Sequence, residues 1–408
     1  MKKISCILSA LFCLSLLFAS SCGGEKTSES DHSGGVSSEE ETYEQKKLSG
    51  IDPVFSESQG YYNESPSVFE AASGERYLYY TRNTVKNDDA TDSIAVRKAT
   101  YTANGWTYGE AKTLLVPSES GWDSKSVFGA DVVRGSFSYR GTDYSYLMAY
   151  SGSDEKNRAN AEIGLAVSKT PDGEWVKVGS SPVVTFDAGH YDPMGILSYR
   201  GAIEPSLVSF DKGGKVYLFY TYYEYLNGSY VLEMDAGDLD HLVLGGRKLV
   251  PVSGLQDMGA SNTQLYSGDF VFDEEDDSLI AVRNVATTVT VQPKVSQALQ
   301  IVRAKADVLD AIEQEWKPAD KKTVWWSQVG ANGKIDGDST AVEDDVDKMF
   351  GYERIFGGAI VSDEYGHLLT YGELDVYFTT QGIYGDASFA LENDYKYSQM
   401  IHMLTVTL

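Results

Sequence analysis

Val216-Tyr217-Leu218-Phe219-Tyr220-Thr221 is a short stretch that alternates aromatic and aliphatic side chains, the composition of a β-strand. It is not alone. Tyr77-Leu78-Tyr79-Tyr80-Thr81 and Tyr146-Leu147-Met148-Ala149-Tyr150 read the same way, and Leu279-Ile280-Ala281-Val282-Arg283 and Leu374-Asp375-Val376-Tyr377-Phe378-Thr379 are weaker copies. The steps from Tyr80 to Tyr150 to Tyr220 are 70 and 70 residues. A repeat of fixed period marks an architecture built from similar units, so the period governs the fold reading.

A second strand series follows the first. Its anchors Ile94, Ile163, Val231 and Leu299 are spaced 69, 68 and 68 residues apart, and the last copy begins 102 residues later at Ile401. The long step predicts an insertion within 306–350, which holds a helical stretch (Asp307 to Trp316) and the acidic run Glu343-Asp344-Asp345. A third series precedes the first: Pro66-Ser67-Val68-Phe69, Asp131-Val132-Val133, Pro205-Ser206-Leu207-Val208, Asp269-Phe270-Val271-Phe272 and Gly358-Ala359-Ile360-Val361. Turn signals such as Ala72-Ser73-Gly74, Lys212-Gly213-Gly214 and Asp363-Glu364-Tyr365-Gly366 join the two as hairpins. A further edge strand is expected near Trp106, Trp175 or Leu249. Five such units in series predict an all-β, five-bladed β-propeller with four-stranded blades around a central channel, over residues 49–408. A sandwich would have no reason to keep a constant period.

The 408 residues carry 34 basic and 60 acidic side chains, a net charge of −26. Nucleic-acid binding is therefore not expected, since phosphates require a concentrated basic face. All three cysteines, Cys6, Cys13 and Cys22, fall in the first 22 residues. The body can hold no disulfide, cysteine nucleophile or Cys-ligated zinc. Met1-Lys2-Lys3, the apolar run Ile4 to Phe18 and the small residues Ala19-Ser20-Ser21 before Cys22 form a lipoprotein signal peptide over 1–21. Cys22 is then the lipidated residue, and an extracytoplasmic, lipid-anchored place in a bacterial cell envelope is expected. Residues 22–48 are polar, acidic and Ser/Gly-rich, a tether rather than a fold. The body alone keeps a charge of −24, and it is expected to be a monomer.

Ser65-Pro66-Ser67-Val68 followed by Tyr77-Leu78-Tyr79-Tyr80-Thr81 resembles the first blade of glycoside hydrolase family 43 and its relatives. Glu204-Pro205-Ser206-Leu207 followed by Val216-Tyr217-Leu218-Phe219-Tyr220 does so too, as does Tyr146 to Gly152 followed by Ile163 to Ser168 and Trp175. The resemblance covers about residues 50 to 408 and implies a carbohydrate substrate. In that family three blades each offer a carboxylate at the channel mouth, because glycoside hydrolysis needs one carboxyl protonated and another ionised on opposite sides of the sugar. Glu64, Asp131 and Glu204 are the expected catalytic set, with Asp269 as a further substrate contact. Ser65 stands where the family carries Asp before Pro, Glu204 replaces an Asp, and no Glu-Gly-Pro motif is present. A one-residue slip reverses the face of a strand side chain, so Glu64 reaches the channel only if the backbone bends there.

Around the same mouth, His190 and Asp192 in the loop before Glu204, Trp122 as a stacking platform and Arg354 as a clamp are expected to touch substrate. No cofactor is expected. A propeller channel has room for a Ca²⁺, but no run of oxygen ligands predicts one, and Asp273-Glu274-Glu275-Asp276-Asp277 reads as a hairpin tip rather than a calcium loop. The function implied is glycoside hydrolysis, with arabinofuranosides or xylosides as the first guess. The alternative is a glycan-binding surface lipoprotein without catalysis.

Overall fold

The computed structural model describes residues 53–55, 60–186, 200–223, 228–255, 265, 267–285, 299–304, 326–328, 354–381 and 399–407. The signal peptide, the tether with Cys22, His190, Asp192 and the helix expected at 307–316 lie outside the described residues.

The chain is all-β. Its described strands form five antiparallel three-stranded meanders, each with a first, middle and last strand. In the first they are Glu64–Glu70, Glu75–Val85 and Asp88–Thr102; in the second, Ser126–Tyr139, Thr142–Ser153 and Glu162–Ser168. The third runs Gly201–Val208, Lys215–Tyr223 and Gly228–Asp235, and the fourth Asp269–Asp273, Ser278–Asn284 and Leu299–Ala304. The fifth is Arg354–Ile360, Glu373–Gln381 and Met400–Thr407. Short strands extend four of them at the outer edge. Gly105–Tyr108 and Lys112–Leu115 pair with the first meander, Val176–Lys177 with the second, Val243–Leu244 and Lys248–Leu249 with the third, and Trp326–Gln328 with the fourth. The edge expectations at Trp106, Trp175 and Leu249 fall on or beside three of these.

The alternation read in the sequence has a direct packing consequence, because successive side chains of a strand face opposite ways. In the first middle strand, Tyr77 and Tyr79 pack against Val132, Tyr146 and Met148 of the second meander. Leu78 and Tyr80, pointing the other way, pack against Ala359, Tyr377 and Ile401 of the fifth. The same division holds along the chain. Leu147 and Ala149 meet Leu218 and Tyr220, Phe219 meets Phe270 and Ala281, and Ile280 and Val282 meet Val376 and Phe378. Five cores therefore lie between successive meanders, and the fifth joins the last meander to the first. Aromatic pairs bridge the gaps, with Phe219 and Phe270 stacked at 4.2 Å. Such pairs add about 0.5–1.5 kcal/mol beyond the area they bury. Each sheet is apolar on both faces, which is why the repeat reads as aromatic next to aliphatic rather than apolar next to polar.

The acidic tract 273–277 is a turn, as expected, but its first residue is not solvated. Asp273 is buried, accepts the amides of Glu275 (3.1 Å) and Asp276 (3.2 Å) and pairs with Arg303.

Candidate functional site

Three of the four strand-start carboxylates converge on one depression. The beginnings of the five first strands line it, and it encloses about 380 Å³ together with its open mouth. Most of that is open solvent: the room inside is about 40 Å³, far below the roughly 300–1,000 Å³ of small-molecule sites, so the depression is shallow.

Its upper layer holds one residue from each meander: Ser65, Gly129, Glu204, Ser267 and Gly357. All five have left-handed backbone, with φ of 50°, 50°, 54°, 53° and 60°. The strand register shifts at four of these points, so each is a bulge that turns the backbone toward the axis. The bulge is fixed by a recurring bond. The amides of Ser65, Gly129, Glu204 and Ser267 donate to hydroxyls on the middle strand of the preceding meander: Thr379 (3.0 Å), Thr81 (2.8 Å), Ser151 (3.1 Å) and Thr221 (2.7 Å). Thr379 belongs to the fifth meander and Ser65 to the first, so the series runs past the end of the chain back to its start.

Glycine takes left-handed backbone freely, while a residue with a Cβ is disfavoured there by roughly 1–2 kcal/mol. Two of the five positions use glycine. Glu204 does not, and it is the one ionisable side chain among the five. Strain retained where glycine would serve marks a position kept for its side chain.

The lower layer, two residues along, behaves differently. Asp131 accepts the Ser67 hydroxyl from the first meander, the Leu207 amide from the third (2.6 Å) and its neighbour Val132's amide (2.9 Å). Asp269 repeats the arrangement one step further. It accepts the Ser206 hydroxyl (2.9 Å) and the Ile360 amide (2.8 Å), joining the third meander to the fifth. Burial pushes the Asp131 carboxyl up from its ordinary range, against those three donors. Burial, and then the charge of Asp131, push Asp269 up as well. Both carboxylates reach the floor of the depression, but their oxygens are committed to tying the strands together.

Glu64 is not part of the lining. The backbone does bend beside it, at Ser65, yet its carboxyl is buried and pairs with Arg158. Arg158 also binds Asp92 (2.6 Å) and lies over the Phe128 ring, with its guanidinium carbon 4.8 Å from the centroid. Asp92 in turn accepts the hydroxyls of Tyr62 and Ser126. Burial disfavours the charge on Arg158, but Asp92 and Glu64 outweigh it and hold the guanidinium above its ordinary value. Sequence reading missed Arg158 and Asp92. Arg158 sits in Ser153-Asp154-Glu155-Lys156-Asn157-Arg158, which has the composition of a solvated loop, and nothing local shows that it turns inward.

Trp122 does not line the depression either. Its ring stacks on Tyr150 (5.5 Å) and covers Gly152 and Gly164, where any side chain would collide with it. Beside it, buried Asp123 accepts the Tyr150 hydroxyl (3.0 Å) and pairs with Lys177 (2.6 Å). These are packing roles in the second meander. Arg354 pairs through its backbone with Gln381, and its side chain lies outside the described residues, as do His190 and Asp192. Among the described residues, no group of three or more His, Cys, Asp or Glu side chains is placed to hold a metal ion.

No protein-family profile matches the chain, and no curated protein matches it. Solved structures do. An α-L-arabinofuranosidase from Lactobacillus brevis aligns over 88% of this chain and 92% of its own, with a TM-score of 0.50 and 11% identity. A thermostable family-43 glycoside hydrolase aligns over 87% and 92% (TM-score 0.48, 17% identity). An α-L-arabinofuranosidase from Podospora anserina, solved with cellotriose, aligns over 87% and 95% (TM-score 0.49, 11% identity). At 0.50 the first of these is a likeness of fold, that of the propeller glycosidases.

Proposed function

We propose that the protein is a five-bladed β-propeller that binds carbohydrate in the axial depression, with Glu204 as its principal polar contact. The five interfaces, the fifth of them closing on the first meander, support the ring. The observation that carries the binding site is Glu204 itself, a carboxylate held in left-handed backbone at the mouth. Ionised, it accepts hydrogen bonds from vicinal hydroxyls, the groups a sugar presents. Carbohydrate as the ligand class rests on likeness of fold, and the pentoses arabinose and xylose are the first candidates. The same reading makes the protein a monomeric lipoprotein, tethered from Cys22 by residues 22–48 outside the cytoplasm.

Hydrolysis is the second reading. It requires two carboxyls on either side of the scissile bond, roughly 5–9.5 Å apart. Asp131 lies in the same depression and burial raises its proton affinity, which is what a general acid needs. Against this, its oxygens already serve Ser67, Val132 and Leu207, and Glu64 is paired with Arg158 away from the lining.

Calorimetry with arabinan and arabinoxylan oligosaccharides, run beside a release assay on aryl-pentosides, tests the two. Binding without release, weakened at least about tenfold (1.4 kcal/mol) in Glu204→Gln, is the expected result. Release that depends on Glu204 would establish hydrolysis instead. Binding that ignores the substitution removes Glu204 from the site.

A further inference from the structure

Turns between first and middle strands in the first four meanders close on themselves or reach a neighbouring meander, as where the Arg140 amide donates to Asp240 (2.7 Å) and the Gly213 carbonyl accepts the Ser136 amide (3.2 Å). In the first, for example, the turn closes on itself through the Gly74 amide and the Ala71 carbonyl (2.8 Å). The fifth is different. Ser362 and Asp363 pair in parallel with Phe69 and Glu70 of the first meander. The Glu364 carbonyl then accepts the Arg134 amide of the second (2.6 Å), and the Tyr365 carbonyl accepts the Ser209 amide beside the third (2.9 Å). Gly366 accepts the Phe272 amide of the fourth (2.9 Å), and the Leu368 amide returns a bond to the Phe272 carbonyl (2.7 Å). Successive residues of one hairpin thus engage successive meanders, in order, across all four.

Side chains reinforce each step. Buried Glu364 accepts the Tyr146 hydroxyl (2.6 Å) and pairs with Arg134 (3.0 Å). Buried His367 sets one ring nitrogen 2.6 Å from the Ser209 carbonyl and the other 2.9 Å from Glu274. Asp363 shapes the turn from within, accepting the amides of Tyr365 (2.8 Å) and His367 (2.9 Å). Gly366 has φ of 79°, and a Cβ there would lie 2.6 Å from the Leu207 carbonyl oxygen. Only glycine lets the hairpin approach this closely.

The contacts fall three residues beyond the depression on each strand: Arg134 after Asp131, Ser209 after Ser206, Phe272 after Asp269. At about 3.3 Å per residue, that is roughly 10 Å further along the axis.

We infer that hairpin 361–369 is a strap that holds the ring shut and stops the channel at the end away from Glu204. The inference rests on the ring reading above. Among the described residues, none of the three strands of the fifth meander's sheet comes from the start of the chain, which meets that sheet through one backbone bond, from the Val54 amide to the Ile401 carbonyl (3.0 Å). The strap adds backbone bonds to a seam that is already joined by packing, by the Val54 amide on the Ile401 carbonyl (3.0 Å), by the Ser65 amide on Thr379 and by Arg76 with Asp375 (2.6 Å). It also leaves the depression a single entrance.

Hydrogen exchange on the full chain tests this. In the wild type, the amides of Arg134, Ser209 and Phe272 should exchange slowly, as should Ser65, which bonds Thr379 across the closure. Gly366→Ala should speed all four at least tenfold together, while the middle-strand amides of Leu147 and Leu218 change little. A rise confined to 361–369 overturns the strap. Should that variant fail to fold, Glu364→Gln keeps the shape and removes the pairing with Arg134. A smaller but joint rise at Arg134 and Ser65 is expected, and no change at Ser65 counts against the strap. Fast exchange of Ser65 in the wild type overturns the ring itself. Slow exchange there in every variant leaves the ring and removes the strap.

Discussion

Two layers of the same five strands, only two residues apart, use similar side chains for opposite purposes. In the lower layer Ser67, Asp131, Ser206 and Asp269 hydrogen-bond strand to strand, and little of their bonding capacity faces the depression. In the upper layer the backbone amides of Ser65, Gly129, Glu204 and Ser267 do the tying, each through a hydroxyl of the preceding meander. A carboxylate's role here follows from which layer it occupies. Asp131 is tied to the fold through its carboxyl and Glu204 through its backbone amide, although both stand at the start of a strand.

The comparison is tested most severely away from the axis, at Arg158. If Glu64 and Asp92 are structural, then Arg158→Met strands two buried carboxylates and should cost about 3–5 kcal/mol in urea unfolding. The folded fraction should still bind carbohydrate. Loss of binding with unchanged stability would move Glu64 into the site.

The lower layer predicts a pH dependence. Asp131 and Asp269 are both raised by burial, so the folded protein holds their protons to higher pH than the unfolded chain, where Asp titrates near about 3.9. Stability contributed by these groups is then greatest on the acid side and is lost as pH rises through their folded values. Asp269→Asn should remove part of that slope, on the order of 1–2 kcal/mol between pH 5 and pH 8. A wild-type protein whose unfolding midpoint rises over that interval, with a slope untouched by the substitution, would contradict the assignment.

The upper layer predicts the smallest stability effect and the largest functional one. Glu204→Gly relieves left-handed strain, so the folded state should be unchanged or stabilised by up to about 1 kcal/mol while binding disappears. A variant that loses stability instead would place Glu204 with Asp131 among the strand ties.

The repeat was legible because it is a local property. Tyr77 to Thr81, Tyr146 to Tyr150 and Val216 to Thr221 carry apolar groups on both faces, and sheets stacked on both sides need that composition in every copy. Edge strands near Trp106 and Leu249 and the turn at 273–277 were legible for the same reason. So were the strand starts that bring Asp131, Glu204 and Asp269 to one depression.

Their division of labour was not. A left-handed φ at Glu204 depends on a hydroxyl from Ser151, 53 residues away, and the saturation of Asp131 on an amide 76 residues away. Arg158 and the 363–367 hairpin look like ordinary loop and turn chemistry, and only neighbours distant in sequence give each a buried partner. The amino-acid sequence by itself determined the repeated strand units and their order, because periodicity and turn residues act over a few neighbours. Tertiary structure alone decided which groups tie the strands, the carboxyl at Asp131 and the backbone amide at Glu204, because hydrogen-bond partners from other meanders settle that.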